Sequence, residues 1–128
     1  MELKFEVPIG KILSLLCCAL EGGASYWAPQ VEEGEPSRDP SAMDGIEDYW
    51  HWSQKWPATG GWITITEVDP DTGQGRNHRL DRDRVRSGLR LMAENSPGHF
   101  SDFMSGDEDG ETGDVFLQYC LFGEIVYG

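Results

Sequence analysis

Positive charge is what this sequence lacks most. Lys and Arg number 10 against 23 Asp and Glu, so the formal net charge is −13. Phosphate groups repel such a chain, which excludes general DNA or RNA binding as its activity. The same charge favours association with basic surfaces, most of which in cells bind nucleic acids. Acidity that only aids solubility remains the simpler alternative.

Recognisable catalytic and metal-binding signatures are also missing. The three histidines have no metal-ligand spacing with one another or with cysteine: His51, His78 and His99. The acidic run 107–114 fails the calcium-loop pattern, which needs Gly at position 6 and a carboxylate at position 12. No Gly-rich phosphate loop lies between a strand and a helix. We expect no enzymatic activity, no metal and no cofactor, although a triad assembled only in the fold stays open.

Cysteine is scarce, and no apolar run is long. Cys17 and Cys18 lie in an apolar helical run and are typical of small buried side chains in a reduced protein. A bridge from Cys120 to one of them stays open. The apolar run 9–20 contains Lys11, is too short for a membrane span and lacks signal-peptide features. These features predict a cytoplasmic protein that does not enter a membrane.

The apolar and aromatic residues are numerous enough to form one hydrophobic core. The chain has 128 residues, 38% of them hydrophobic and 11% aromatic, which predicts a single domain over 1–128. Alternating apolar residues predict strands, and apolar residues three or four apart predict helices. The predicted strands are 2–8, 61–68, 76–80 and 124–127, and the predicted helices are 9–21, 81–95, 99–104 and 114–122. This order predicts an α+β fold, a small antiparallel sheet with helices mainly on one face.

Two middle segments are harder to assign. Residues 28–48 hold seven carboxylates, three Pro and only isolated apolar residues, which predicts a flexible acidic insert. Residues 49–56 (YWHWSQKW) hold three Trp and a Tyr and are compatible with a strand. Trp50 and Trp52 either cover an edge of the core or form a binding surface, because Trp offers a large rigid contact area.

Charge is segregated along the chain. Six of the ten basic residues lie between Arg76 and Arg90, flanked by acidic tracts at 32–48 and 102–114. Pairing between these arginines and the tracts is one interpretation. However, 23 acids cannot all be paired by ten bases, so an outward-facing carboxylate array is the favoured one. The candidate partner-binding residues are Asp107, Glu108, Asp109, Glu111, Glu32, Glu33, Glu35, Trp50 and Trp52.

Two segments resemble a known group of proteins. The runs LLCCALEGGASYW (15–27) and PGHFSDFMSGDEDGETGDVFLQYCLFGEIVYG (97–128) resemble a family of small uncharacterised bacteriophage and prophage proteins. Residues 79–95 are similar as well, whereas 28–60 are not part of the resemblance. The family has no assigned chemistry to transfer. The resemblance implies a phage accessory protein, a class that commonly disarms host defences.

Two functions follow as expectations. The first is a non-catalytic inhibitor of anti-CRISPR type, whose acidic surface occupies the basic nucleic-acid-binding site of a host defence complex. The second is a protein that sequesters a nucleotide signal by stacking and phosphate pairing. Its candidate ligand-binding residues are Tyr26, Trp27, Arg79 and Arg86. Self-association into a homodimer is open under either function.

Overall fold

The computed structural model describes residues 7–128, so the predicted strand at 2–8 lies outside the described residues except for Val7 and Pro8. Residues 7–128 form five α-helices, three strands and two short helical turns. In chain order these are α1 (Ile9–Cys18), a π-turn (Ala19–Gly23), β1 (Gln30–Glu35), a 3-10 turn (Pro40–Met43), α2 (Trp52–Thr59), β2 (Trp62–Val68), β3 (Gly75–Asp81), α3 (Arg82–Asn95), α4 (Pro97–Met104) and α5 (Gly110–Phe122).

The three strands form an antiparallel sheet in the order β1-β2-β3. Alternation on β2 sends Ile63 and Ile65 into the core, where both are fully buried, and leaves Trp62 and Thr64 half-buried on the other face. Helices α2, α3 and α5 pack against the sheet. The predicted α+β class with a small antiparallel sheet is therefore confirmed.

The predicted hairpin and the helix after it are confirmed. Ile63 faces Leu80 across the β2–β3 ladder, and Gly73 takes a positive φ of 74° in the connecting turn. Asp81 closes β3 and caps α3, because its Oδ1 accepts the backbone N–H of Arg84 at 3.0 Å. The arginine-rich helix thus starts directly at the end of the sheet.

Helix α5 is the central element, since most of its residues are buried. The backbone of its first turns is in direct contact with the backbone of the π-turn. A Cβ at Gly113 would lie 2.5 Å from the Ala19 nitrogen, and one at Gly23 would lie 2.0 Å from the Gly110 oxygen. The segments 15–27 and 97–128 therefore pack against each other, and their glycines make this close approach sterically feasible.

The prediction of an insert without regular structure at 28–48 is wrong for its first part. Residues 30–35 form β1, with Val31 opposite Ile65 and Glu32 opposite Thr64. Glu and Gly have low strand propensity, so the local sequence gives little sign of a strand. Strand β1 forms because pairing with β2 supplies backbone hydrogen bonds, and these outweigh the low strand propensity of its own residues.

The strand considered for 49–56 does not form, because helix α2 begins at Trp52 and continues through Pro57 to Thr59. A capping box starts this helix: His51 Nδ1 accepts the Ser53 N–H, and Gln54 Oε1 accepts the His51 N–H at 3.0 Å. Gly60, with a φ of 107°, ends the helix.

The predicted last strand, 124–127, does not form. Gly123, with φ 75°, ends α5, and the chain then runs back along that helix. The Gln118 side chain takes the place of a neighbouring strand. Its Oε1 accepts the N–H groups of Val126 and Tyr127 at 2.7 and 2.8 Å, and its Nε2 donates to the Tyr127 carbonyl at 3.1 Å.

We expect Gln118→Ala to release the C-terminal segment 124–128, because three hydrogen bonds to its backbone are lost together. The free energy of unfolding should fall by about 2 kcal/mol, and carboxypeptidase should trim the variant faster than the parent protein. Gln74→Ala, in the exposed hairpin turn, is the control. Equal trimming of the Gln118 variant and the parent would show that other contacts hold the segment.

Candidate partner-binding surface

The acidic residues at 107–111 lead into and begin helix α5. Asp109 is the N-cap, and its Oδ1 accepts the Thr112 N–H at 2.9 Å. Glu108 is half-buried, with Oε1 accepting the Ser14 hydroxyl at 3.0 Å. Asp107 and Glu111 are exposed. Three of the four predicted residues therefore face solvent at a helix N-terminus, where negative charge is stabilised by the helix dipole.

The second predicted group of carboxylates lies on β1. Glu32, Glu33 and Glu35 are all exposed along this edge of the described sheet. Successive side chains of a strand point to opposite faces. Glu32 and Glu35 lie opposite Thr64 and Trp62 in the β1–β2 register, on the open face of the sheet, whereas Glu33 lies opposite Ile63, on the face toward the core. The β1 carboxylates are therefore presented on both sides of this edge.

Glu21 connects these two groups, and the sequence analysis did not select it. It lies on the rim of two neighbouring grooves. The glycine groove, of about 670 Å³, runs between the π-turn and the start of α5 and is lined by Cys17, Cys18, Glu21, Gly22, Gly23, Gly110, Glu111 and Asp114. The tryptophan groove, of about 280 Å³, runs between the π-turn, β1 and α2 and is lined by Leu20, Glu21, Pro29, Val31, His51, Trp52 and Ser53.

The two grooves share Glu21, and each is lined in part by a segment that carries predicted carboxylates. Glu111 borders the glycine groove, and Val31, which precedes Glu32 on β1, borders the tryptophan groove. We call these exposed carboxylates together the acidic surface: Glu21, Glu32, Glu33, Glu35, Asp107, Asp109 and Glu111. The sequence feature that could have identified Glu21 is its position directly before Gly22, at the end of the first apolar helix.

Among residues 7–128, ion-pair contacts reach this surface at Glu35, from Arg38, and at Glu111, whose Oε1 lies 3.9 Å from His99 Nε2. Among residues 7–128, the carboxylates within 4.0 Å of an arginine nitrogen are Glu35, Glu67 and Asp81. The exposed Glu35–Arg38 pair, at 3.7 Å, contributes little. Within the same residues, no arginine of α3 lies within 4.0 Å of a carboxylate of either acidic tract. Hydrogen bonds from Ser41 and, to a smaller extent, the charge of Arg82 lower the pKa of Asp39, so compensation by that helix is limited to a longer-range effect at this residue.

Burial and nearby carboxylates raise the pKa values of the two thiols in the glycine groove. Burial raises the pKa of Cys18, and the charges of Glu108 and Asp109 raise it further. The pKa of Cys17 is raised by burial and then by Glu21. Both shifts favour the protonated thiol, which is a poor nucleophile and a poor metal ligand. Cys17, Cys18 and Cys120 are all free thiols.

The aromatic run contributes both to the core and to the surface. Trp50 and Trp52 are half-buried and pack against the core, whereas Tyr49 is 75% exposed. The Trp52 ring lies 4.7 Å from the His51 ring and 5.4 Å from the Trp56 ring, between ring centroids. Trp52 therefore has one side against the protein and borders the tryptophan groove.

The residues predicted for a nucleotide site are not brought together. Trp27 is fully buried and cannot stack on a ligand in this conformation; its Nε1 and the Tyr26 hydroxyl both donate to Asp114 at 2.6 Å. Burial and this hydrogen bond raise the pKa of Tyr26. Arg79 lies over the Trp62 ring at 4.4 Å, on the sheet face away from Trp27. Arg86 is exposed on α3.

Comparisons with protein-family models, with curated proteins and with solved structures each gave no match. Within residues 7–128, no group of three or more His, Cys, Asp or Glu side chains is arranged to hold a metal ion. No helix in that part of the chain has the length and apolar character needed to cross a membrane.

Proposed function

We propose that this protein is a phage-encoded, non-catalytic inhibitor of a host defence system, of anti-CRISPR type. In this proposal it acts in the bacterial cytoplasm by covering a basic nucleic-acid-binding site of a defence complex. The observation that carries the proposal is the acidic surface, where, within residues 7–128, the exposed carboxylates on β1 and at the start of α5 have no arginine or lysine partner within 4.0 Å except for the exposed Glu35–Arg38 pair. The resemblance of 15–27 and 97–128 to phage proteins supports the choice of a defence complex.

Inhibition by occupation requires no chemical step. A basic site meant for phosphates attracts a carboxylate array by the same long-range field, which speeds association and selects basic partners. Exposed charge pairs are screened by salt, with a Debye length of about 10 Å at 0.1 M ionic strength. Inhibition through the acidic surface must therefore weaken as salt rises.

The test is target-DNA binding by a panel of purified CRISPR effector complexes, each titrated with the protein at 50 to 400 mM NaCl. We expect at least one complex to lose DNA binding, with a half-inhibitory concentration that rises with salt. Neutralising β1 (Glu32→Gln, Glu33→Gln and Glu35→Gln together) should raise that concentration about tenfold, equivalent to about 1.4 kcal/mol of binding free energy.

A matched control separates the surface from net charge. Asp71, Glu94 and Glu124 are exposed and lie outside the acidic surface, so Asp71→Asn, Glu94→Gln and Glu124→Gln together remove the same charge. This control should inhibit as the parent does. Equal effects of the two triple variants, inhibition insensitive to salt, or no inhibition of any complex would each contradict the proposal.

A further inference from the structure

The tryptophan groove has a composition that differs from the rest of the acidic surface. Its apolar lining comes from Leu20, Pro29 and Val31, and one wall is the half-buried ring of Trp52. The exposed carboxylate of Glu21 stands on its rim. The groove thus offers an apolar patch, an aromatic ring and a negative charge within one small space, next to the polar side chains of His51 and Ser53.

The size of the groove limits what it holds. Pockets for drug-sized ligands range from about 300 to 1,000 Å³ and enclose most of the ligand. At about 280 Å³ and open on one side, this groove matches a single long side chain better than a whole nucleotide. The apolar lining suits an aliphatic stem, and the ring and carboxylate suit a cationic head.

We propose that the tryptophan groove receives an arginine side chain of the basic partner, with the guanidinium against the Trp52 ring and paired with Glu21. A planar guanidinium stacks on an aromatic ring and forms two parallel hydrogen bonds to a carboxylate, whereas a lysine ammonium does neither as well. This inference rests on the proposed function, because it assigns one specific contact within the acidic surface.

The protein itself shows the same type of contact. On the open face of the sheet, the Arg79 guanidinium lies 4.4 Å from the Trp62 ring centroid and 3.9 Å from Asp81, measured from Nε to Oδ2. Trp52 has no such cation among residues 7–128, and Glu21 has no ion pair there. The groove therefore has the ring and the carboxylate of this arrangement but not the arginine.

The binding test uses the full chain and three acetylated, amidated hexapeptides: hexa-arginine, hexa-lysine and hexa-citrulline. Isothermal titration at 50 mM NaCl should rank them in that order. Trp52→Leu and Glu21→Gln should each weaken hexa-arginine binding about fivefold, within the range of one cation–π contact or one charge-assisted hydrogen bond. Both variants should also reduce the preference for hexa-arginine over hexa-lysine.

Controls exclude a general loss of charge or of fold. Glu94→Gln removes one exposed carboxylate outside the groove, and Tyr49→Leu removes an exposed aromatic ring that does not line it. Both should bind the peptides as the parent does. Trp52→Phe retains an aromatic ring with a weaker attraction for cations, so it should give an intermediate affinity and replaces Trp52→Leu if that variant does not fold.

The outcomes separate the groove from the proposed function. Unchanged hexa-arginine affinity in both Trp52→Leu and Glu21→Gln overturns the arginine site, whatever the triple β1 variant does to inhibition. Loss of affinity in these two variants alone supports the arginine site. If no effector complex is then inhibited, the inhibitor proposal fails while the groove remains a site for arginine.

Discussion

Gly113→Ala is expected to lower the free energy of unfolding by about 3 kcal/mol, at the upper end of the usual cost of overpacking. The new Cβ would lie 2.5 Å from the Ala19 nitrogen and 2.8 Å from the Cys18 carbonyl carbon. Both are backbone atoms, so no side-chain rotation relieves the clash, and α5 must move away from the π-turn. Urea denaturation followed by tryptophan fluorescence measures the loss.

Gly10→Ala is the control for this substitution. Gly10 also lies in a helix, but a Cβ there meets no atom within 4 Å. Alanine has the higher helix propensity, so this variant should be as stable as the parent or more stable, by up to about 1 kcal/mol. Similar losses in both variants would mean that the close approach of α5 to the π-turn does not limit stability.

Glu67→Leu is the substitution with the second large expected effect, a decrease of about 3 kcal/mol in the free energy of unfolding. Glu67 is 4% exposed, its Oε1 lies 2.6 Å from His78 Nε2, and its Oε2 accepts the Tyr127 hydroxyl. Leucine leaves both partners without an acceptor in a mostly apolar region, since Phe122 lies against both rings. Chemical denaturation at pH 7 checks the loss, with the exposed Glu94→Leu as the control.

The same carboxyl predicts a pH dependence with a definite sign. Burial raises the pKa of Glu67, but hydrogen bonds from Tyr127 and His78 and the charge of Arg76 outweigh it, so the pKa is lowered from 4.5. A folded-state pKa below the unfolded value stabilises the fold above the unfolded value, and this contribution is lost as pH falls through the folded pKa. The hydrogen bond to Glu67 also raises the pKa of Tyr127 to about 12.

The difference in stability between parent and Glu67→Leu should therefore be constant from about pH 5 to 7 and shrink below pH 4.5. Denaturation curves at pH 3, 4, 5 and 7 measure it. Subtracting the variant removes contributions from other carboxyls, such as Asp109, whose pKa is lowered by the Thr112 backbone N–H. A difference that stays constant down to pH 3 would show that Glu67 is not held as a carboxylate by these contacts.

The candidate site could be predicted in part. Composition is enough to predict exposed carboxylates at 32–35 and 107–111, because ten bases cannot neutralise 23 acids. It could not indicate that Glu21 joins the two groups, since that depends on how the π-turn lies against β1 and α5. Nor could it separate Trp27, which is buried against Tyr127 and Phe122, from Trp52, which borders a groove.

Local patterns account for the parts of the fold with strong periodicity. Alternation predicts β2, and apolar spacing with an acidic start predicts α3, for which Asp81 and Asp83 were both candidate caps and Asp81 is the cap in the structure. These elements form where residue preference and final structure agree, so nearby sequence carries enough information. The capping box of α2 was not readable from the sequence, because its N-cap is His51 rather than one of the usual Ser, Thr, Asp or Asn residues.

The segment 97–128 contains contacts that the local sequence does not predict. By itself the sequence determines that this stretch is acidic, then apolar, with glycines at fixed places. Only the tertiary structure decides that Gly113 is a contact point for the π-turn and that Gln118 replaces a strand partner for Val126 and Tyr127. The physical reason is that buried polar groups and close backbone contacts are satisfied by residues far apart in the chain. For β1 likewise, hydrogen bonds from β2 outweigh a weak local preference.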